Sequence, residues 1–395
     1  MNVQFNITNQ GNYKDRYDLE ALLDKTWSFQ ILGGDLTSRV DPGETKTVIV
    51  QVVIPDKEYR QTTANLELNV TGGYYDQVDL LKSNSTYLTV GLERRLSISI
   101  DSTEKSNLPS ESVVYDITVE NIGNYRDNVS LELNEISWIH SLSSYELDMG
   151  YLESKTIQLT VHVGAEADFA SFQESSVTAT SVGDSDVEVE VLARTVALQF
   201  FDLIIENSGD AIEEPYRDVV FMFEIYNSGN GPDKFILEGN SSNSWPFAME
   251  IMETKVLERF DSDYVNVTVS IPGSIEVGTI DNFTLLVRSF TDNITTNTSV
   301  AQISIKEGHG SVVTIESVPD ELYPNLESLI TYKIINVGNV EDTIIVDNLS
   351  LPAQWEAQFE DGFPYSVMLS PGDNAIIEML VTPSADYDFS RYGNY

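Results

Sequence analysis

The chain has 395 residues, of which 63 are acidic and 22 basic, so its formal net charge is -41. A surface this acidic repels nucleic acid and anionic lipid, both of which bind through lysine and arginine, so we expect neither as a partner. The absence of cysteine excludes disulfides, thiolate metal sites and cysteine nucleophiles. No apolar run approaches the roughly 18 residues of a membrane span, so we expect no membrane insertion within this chain.

One seven-residue pattern, N-x-G-N-x-x-D, occurs four times, and its glycines recur at intervals of about 110 residues. The only four tryptophans recur at the same interval, and each follows a motif glycine at a nearly constant distance. Two markers with one period indicate four copies of a unit of about 110 residues, a typical size for a β-sandwich domain. The motif residues are Asn9, Gly11, Asn12 and Asp15; Asn121, Gly123, Asn124 and Asp127; Asn227, Gly229, Asn230 and Asp233; and Asn336, Gly338, Asn339 and Asp342.

Within each unit, apolar residues alternate with polar ones. Ile157, Leu159 and Val161, for example, fall on one face of a half-buried antiparallel strand. No long amphipathic helical pattern is present, so the sequence predicts an all-β chain of four tandem β-sandwich domains in an elongated array. We place the domains at 1–92, 93–195, 196–306 and 311–395. The links between them are short, and only residues 306–310 are predicted to form a flexible joint.

Both terminal domains are predicted to be incomplete. The first lacks the strand that precedes the motif in the other copies, and the fourth lacks its last strands. Unpaired sheet edges of this kind are a liability in a complete protein, so we expect a fragment of a longer chain. We then expect a signal peptide, a membrane anchor or a catalytic domain to lie outside this sequence.

The motif lies between two alternating runs, which predicts a turn connecting two strands. Its glycine is explained by a backbone angle that residues with side chains avoid, and its Asn and Asp cap turn amides. The alternative is a cation such as Ca²⁺ held by these oxygens, but three side chains are too few for such an ion without backbone or water ligands.

The tryptophans are interpreted as core residues rather than platforms for ligand stacking. They are Trp27, Trp138, Trp245 and Trp355.

Four acidic residues alternate along one predicted strand and are the candidate metal ligands: Asp184, Asp186, Glu188 and Glu190. Like charges at this spacing repel, so a bound Ca²⁺ would stabilise them, while a solvated, salt-screened edge is the alternative. No cofactor is required by the sequence.

Ten N-x-S/T sequons predict glycosylation of an exported protein, although an Asn- and Thr-rich composition produces such sites without any glycan. The asparagines are Asn6, Asn69, Asn84, Asn128, Asn240, Asn266, Asn282, Asn293, Asn297 and Asn348.

No comparable sequence motif indicates catalysis. The three histidines follow no metal-binding spacing, and no nucleophile elbow or phosphate loop occurs, so we predict that the chain is not an enzyme and has no catalytic residues.

The fourth unit combines the motif with three later segments, at 351–355, 369–373 and 379–383. In this order they resemble the NPCBM-associated immunoglobulin-like module found beside α-galactosidases, and they are similar to the CARDB cell-adhesion-related domains. The resemblance implies tandem stalks of secreted or surface-anchored prokaryotic proteins, often archaeal, without catalytic residues. We therefore expect an extracellular structural or adhesive stalk whose protein or glycan ligand is unknown. The alternative is an accessory region of a secreted hydrolase, with carbohydrate binding as one role for it.

Overall fold

A computed structural model of the chain describes residues 1–72, 81–346, 350–352, 354–360, 362 and 364–385. These residues form 29 strands and no helix, and accordingly no described helix is long and apolar enough to cross a membrane. The chain divides into two compact units, Met1–Leu198 and Gln199–Tyr395. Each unit contains two of the four repeats, and each repeat has an apolar core of its own.

The first repeat packs two three-stranded antiparallel sheets against each other. Its strands are β1 (Asn2–Thr8), β2 (Tyr17–Leu23), β3 (Ser28–Leu32), β4 (Thr45–Val53), β5 (Thr63–Gly72) and β6 (Lys82–Thr89). The sheet orders are β1-β4-β3 and β2-β5-β6. Because side chains alternate across a strand, Val48, Val50 and Val52 of β4 are buried between the sheets while their neighbours are more exposed.

The second repeat has larger sheets. Its strands are β7 (Leu96–Ile100), β8 (Glu104–Asn107), β9 (Ser112–Asn121), β10 (Asp127–Leu133), β11 (His140–Leu142), β12 (Glu146–Met149), β13 (Ser154–His162), β14 (Phe172–Ser181) and β15 (Asp184–Ala197). The orders are β11-β13-β9-β7 and β12-β10-β14-β15-β8. The leading segment is shared between the sheets, since β7 pairs antiparallel with β9 and β8 pairs parallel with β15.

The third repeat has two four-stranded sheets. Its strands are β16 (Leu203–Asn207), β17 (Ala211–Glu213), β18 (Asp218–Asn227), β19 (Phe235–Ser241), β20 (Phe247–Met249), β21 (Ser262–Ser270), β22 (Ile280–Ser289) and β23 (Thr296–Ile305). The orders are β16-β18-β21-β20 and β17-β23-β22-β19. Its core contains aromatic contacts, with the Phe283 ring 6.0 Å from Phe223 and 5.1 Å from Phe247 between centroids.

Among the described residues, the fourth repeat has the smallest core, which includes Ile334, Phe359 and Met379. Its strands are β24 (Ser311–Ser317), β25 (Ser328–Asn336), β26 (Asp342–Val346), β27 (Glu356–Phe359), β28 (Tyr365–Leu369) and β29 (Asn374–Thr382). The described strands form sheets of order β24-β25-β29-β27 and β26-β28. The prediction of an all-β chain of tandem immunoglobulin-like sandwiches is confirmed.

Candidate functional site at the repeat junctions

The first Asn of each motif fixes the turn that joins the two sheets. The Nδ2 group of Asn121 donates to the carbonyl oxygens of Tyr125 (2.7 Å) and Gly150 (2.9 Å), while its Oδ1 accepts from the N–H of Gly123 (3.1 Å). Asn9, Asn227 and Asn336 make the equivalent three bonds. Because a buried amide left unpaired is costly, this bonding explains why the position is Asn in every copy.

The second Asn holds the segment that enters its repeat. Asn124 donates from Nδ2 to the carbonyl of Gly91 and accepts at Oδ1 from the N–H of Glu93, both at 2.8 Å. Its own N–H donates to the carbonyl of Glu93 at 3.0 Å. Asn124 as a whole residue is only 3% exposed. We call this set of bonds between the second motif Asn and the preceding linker the linker clasp.

The linker clasp recurs in the third and fourth repeats. Asn339 donates from Nδ2 to the carbonyl of Lys306 (3.0 Å) and accepts at Oδ1 from the N–H of Gly308 (2.7 Å). Asn230 accepts at Oδ1 from the N–H of Phe200 at 2.6 Å, and its N–H donates to the carbonyl of the same residue at 3.1 Å. In the first repeat the corresponding Asn12 is exposed instead. The second Asn therefore acts between segments rather than within its own turn.

The motif glycines of the second, third and fourth repeats are required by the closeness of the linker. A Cβ on Gly123, Gly229 or Gly338 would lie 2.7, 2.6 or 2.5 Å from a linker carbonyl oxygen. On Gly11 it would meet only the side chain of Asn9, at 3.1 Å. All four glycines are described, and none has a positive φ. The prediction that an unusual backbone angle selects glycine here is wrong, and in the second, third and fourth repeats the close approach of the linker backbone selects it instead.

The motif Asp has a different partner in each of the second, third and fourth repeats. Asp127, whose side chain is 2% exposed, forms an ion pair with the linker residue Arg94. Asp342 lies 3.1 Å from Nδ1 of His309, the residue at the same place in the linker ahead of the fourth repeat. Asp233 instead accepts from two hydroxyl groups of its own repeat, those of Ser289 at the end of β22 (2.5 Å) and Thr291 just after it (2.6 Å).

Between the first and second repeats an aromatic cluster supports the linker clasp. The ring of Tyr59 lies 5.7 Å from that of Tyr125 and 5.2 Å from that of Tyr151. The guanidinium of Arg60 is 5.1 Å from the centre of the Tyr125 ring, and the N–H of Arg60 donates to the carbonyl of Asn124 at 3.0 Å. Such ring and cation contacts add apolar burial to a junction that otherwise depends on hydrogen bonds.

The junction of the third and fourth repeats has the linker clasp, and no aromatic cluster like that of the first junction is found among its described residues. A cavity of about 470 Å³ lies there, lined by residues that include Tyr216, Ile275, Glu276, Val337 and Pro371. The predicted flexible joint at 306–310 is hydrogen-bonded to the motif turn, because the N–H of Val337 also donates to the carbonyl of Gly310 at 2.9 Å. The two junctions thus share their polar contacts and differ in apolar packing.

The predicted acidic strand does not form a regular row of ligands. The pairing of β14 with β15 shifts, so that Thr180 faces Glu188 but Ser181 faces Asp184. All four acidic residues are exposed, and Glu190 accepts a hydrogen bond from the hydroxyl of Ser176. Within the described ranges, no three His, Cys, Asp or Glu side chains are grouped so that they could hold a metal ion.

The tryptophans lie in or against the apolar cores. Trp27, Trp138 and Trp245 are 4%, 9% and 4% exposed, and Trp355 is half-buried against the fourth core.

Most of the sequon asparagines are exposed. Asn348 lies outside the described residues. Of the other sequon asparagines, Asn69 is half-buried and the rest are exposed. The exposed group comprises Asn6, Asn84, Asn128, Asn240, Asn266, Asn282, Asn293 and Asn297.

Sequence reasoning missed the linker residues that the motif binds. Arg94 and Tyr59 belong to no repeated pattern, and Arg94 is far from its Asp partner in the sequence. One signal was available, because the motif Asn and Gly recur more strictly than a single turn needs. Such strictness indicates a second contact elsewhere in the chain.

Comparison with known proteins gives structural likenesses only. No protein-family model and no curated protein matches the sequence. Extracellular cadherin domains 1–5 of protocadherin gamma B2 are similar at 12% identity over 98% of this chain and 71% of that one, with a TM-score of 0.43. Domains 3–6 of the same protein give 11% identity over 94% and 85%, with a TM-score of 0.40. The D0–D1 domain of intimin gives 10% identity over 53% and 97%, with a TM-score of 0.20. These sequence identities and TM-scores are too low to assign any function of those proteins to this chain.

Proposed function

We propose that the chain is a stalk of an exported surface protein, in which immunoglobulin-like repeats hold another part of that protein, or a bound partner, at a distance. The observation that supports this most is the linker clasp, which the same motif residues form ahead of the second, third and fourth repeats. A short linker with its backbone groups bonded to the next repeat has fewer conformations than a free one. Stiffness of this kind is what a spacer needs.

The resemblance of the motif order to NPCBM-associated and CARDB modules agrees with this proposal, and so does the net charge of -41, which keeps a long surface soluble. The proposal assigns no catalytic residue. Each of the three histidines sits in a different setting: His140 bonds Ser175, His162 bonds Ser112 and His309 bonds Asp342. Burial lowers the pKa of His140, so it serves as a neutral structural group at physiological pH.

Small-angle X-ray scattering tests the stalk. A single compact body of this length has a radius of gyration of about 21 Å. A stalk is expected to give roughly twice that value, with the pair-distance distribution of a rod. A globular profile near the compact value would rule out a spacer.

The exposed sequon asparagines are proposed as glycan carriers that shield the stalk. Their side chains lie on outward faces of strands or in a loop, as Asn240 on β19, Asn282 on β22 and Asn293 after β22 do. Peptide mass spectrometry of the protein secreted from a glycosylating host tests this. Unmodified peptides at all of these sites would contradict glycosylation of the stalk.

Calcium is a hypothesis that rests on the charge and the acidic strand. Because an ion that binds the native state raises its stability, bound Ca²⁺ predicts a lower thermal midpoint after chelation, and an unchanged midpoint would discard the hypothesis. Melting curves with EDTA and with added Ca²⁺ provide the measurement. A midpoint several degrees higher with Ca²⁺ would mean that the ion binds the native state.

A further inference from the structure

The cavity at the junction of the third and fourth repeats, called the later junction below, lies where the aromatic cluster lies at the first junction. Matching backbone hydrogen bonds before β5 and β22, together with the starts of β13 and β29, align the two junctions. The counterparts of Tyr59, Tyr125 and Tyr151 are Glu276, Val340 and Pro371. Three rings are replaced by smaller side chains, which explains the cavity of about 470 Å³.

The last two strands of a repeat do not supply this place. In the second repeat the hairpin between β14 and β15 lies against the linker, because a Cβ on Gly183 would overlap the guanidinium of Arg94. The rings of the aromatic cluster come instead from the loop before β5 and from the segments after β9 and β12. The cavity of the later junction is likewise lined by the loop before β22, the motif turn after β25 and the turn before β29, all of which are described.

One wall of the cavity is the ring of Tyr216, which its surroundings hold in place. Tyr216 has a φ of 60°, an uncommon value for a residue other than glycine. Its ring lies directly on Gly273, because a Cβ added there would overlap the ring. Tyr216 is nevertheless 68% exposed, so the ring keeps an open face. A ring fixed in this way can stack with a ligand at little cost in side-chain entropy.

The cavity also carries a negative charge. Of the described residues that line it, Glu276 is the only charged one, and it is exposed. Apolar side chains, including those of Ile275, Val337 and Pro371, form much of the remaining lining. A carboxylate, an aromatic ring and apolar side chains around one cavity are suited to a cation with an apolar stem.

The first junction shows which cation suits this place. The guanidinium of Arg60 lies over the ring of Tyr125, and Arg95 forms an ion pair with Asp56 at 2.8 Å. The counterparts of the two arginines in the later junction are Val277 and Gly310. The later junction therefore has a ring and a carboxylate, while these two positions supply no arginine.

We propose that the cavity of the later junction binds an arginine side chain of a separate, basic partner protein. The guanidinium stacks on the open face of Tyr216 and pairs with the carboxylate of Glu276, while the methylene groups contact the apolar lining. Charge favours such a partner over a second copy, since a net charge of -41 attracts a basic protein and makes two copies repel each other. This binding site is independent of the spacer role.

The probe is an acetylated and amidated tripeptide with arginine between two glycines, titrated into the whole isotope-labelled chain and followed by NMR. We expect saturable shifts of the amide signals of residues 273–278 and 337–339. Two control peptides carry lysine, which lacks the planar fork, or citrulline, which has the shape of arginine without its charge. Lysine should bind at least about threefold more weakly and citrulline at least about tenfold. Absent binding, equal affinity for arginine and lysine, or shifts spread along the acidic surface would overturn the proposal.

Variants test the protein side of the same contacts. Tyr216→Ala should weaken arginine binding about fivefold, whereas Tyr216→Phe keeps the ring face and should stay within about twofold. Glu276→Gln should weaken binding about threefold, and Glu258→Gln, at an exposed position of the same repeat, should not. Amide signals away from the cavity show that each variant is folded.

Two further results would contradict the site. Unchanged affinity in folded Tyr216→Ala or Glu276→Gln would mean that the ring and the carboxylate do not hold the guanidinium. Self-association of the chain that the arginine peptide reverses would assign the cavity to a second copy and overturn the separate partner.

Discussion

Replacing Asn124 with alanine is expected to free the linker between the first two repeats. The change removes two side-chain bonds, to Gly91 and Glu93, and leaves their backbone groups without these partners. We expect a loss of about 2 kcal/mol from local stability, which corresponds to roughly 30-fold faster exchange of protected amides at the junction. Hydrogen exchange at the N–H of Ile122, which bonds Arg95 across the junction, provides the measurement.

The chain supplies its own control for this substitution. Asn12 occupies the same motif position in the first repeat, but its side chain is exposed. Asn12→Ala should change stability by less than about 0.5 kcal/mol, because surface substitutions away from specific contacts are usually neutral. Equal effects of the two substitutions would mean that the second Asn stabilises its own turn and that the linker clasp is incidental.

Alanine in place of Gly123 should damage the same junction by steric conflict. Its Cβ would lie 2.7 Å from the carbonyl oxygen of Glu93 and 3.0 Å from the nitrogen of Arg95. Both are backbone atoms, so the linker itself has to move. Overpacking of this kind typically costs about 1–3 kcal/mol, and we expect the upper half of that range in the second repeat. Peptide-resolved hydrogen exchange in increasing urea separates this repeat from the others.

Gly11→Ala is the paired control, since only the side chain of Asn9 is near the added methyl group. It should cost clearly less than the change at Gly123. If instead both alanines destabilise their repeats alike, the glycine serves the turn in every copy and the linker does not select it.

Much of the fold could be predicted from the sequence because its signals are local or periodic. Alternation along β13 placed Ile157, Leu159 and Val161 on one face, and all three are buried. The period of the motif and of the tryptophans gave the number of sandwiches. The turn was also placed correctly, between β9 and β10 in the second repeat.

The role of the motif could not be predicted in the same way, because it depends on contacts between segments that are distant in the sequence. From the sequence, Gly11 and Gly123 are equivalent, yet only Gly123 lies against a linker backbone.

The arrangement of the acidic strand also depends on contacts with a distant segment. Its alternation suggested one continuous row, but a register shift between Thr180 and Ser181 interrupts the pairing. Bulges of this kind depend on the partner strand, which a single run of residues does not specify.

The stiffness of the junction between the first two repeats can be measured directly by pulsed electron paramagnetic resonance. The chain has no cysteine, so Thr47→Cys and Thr156→Cys provide two unique label sites on β4 and β13, both at exposed positions. The linker clasp predicts one narrow distance distribution, which broadens when Asn124→Ala is added and stays narrow with Asn12→Ala. A distribution that is already broad in the parent protein, or one that Asn124→Ala leaves unchanged, would contradict a clasped, spacer-like junction.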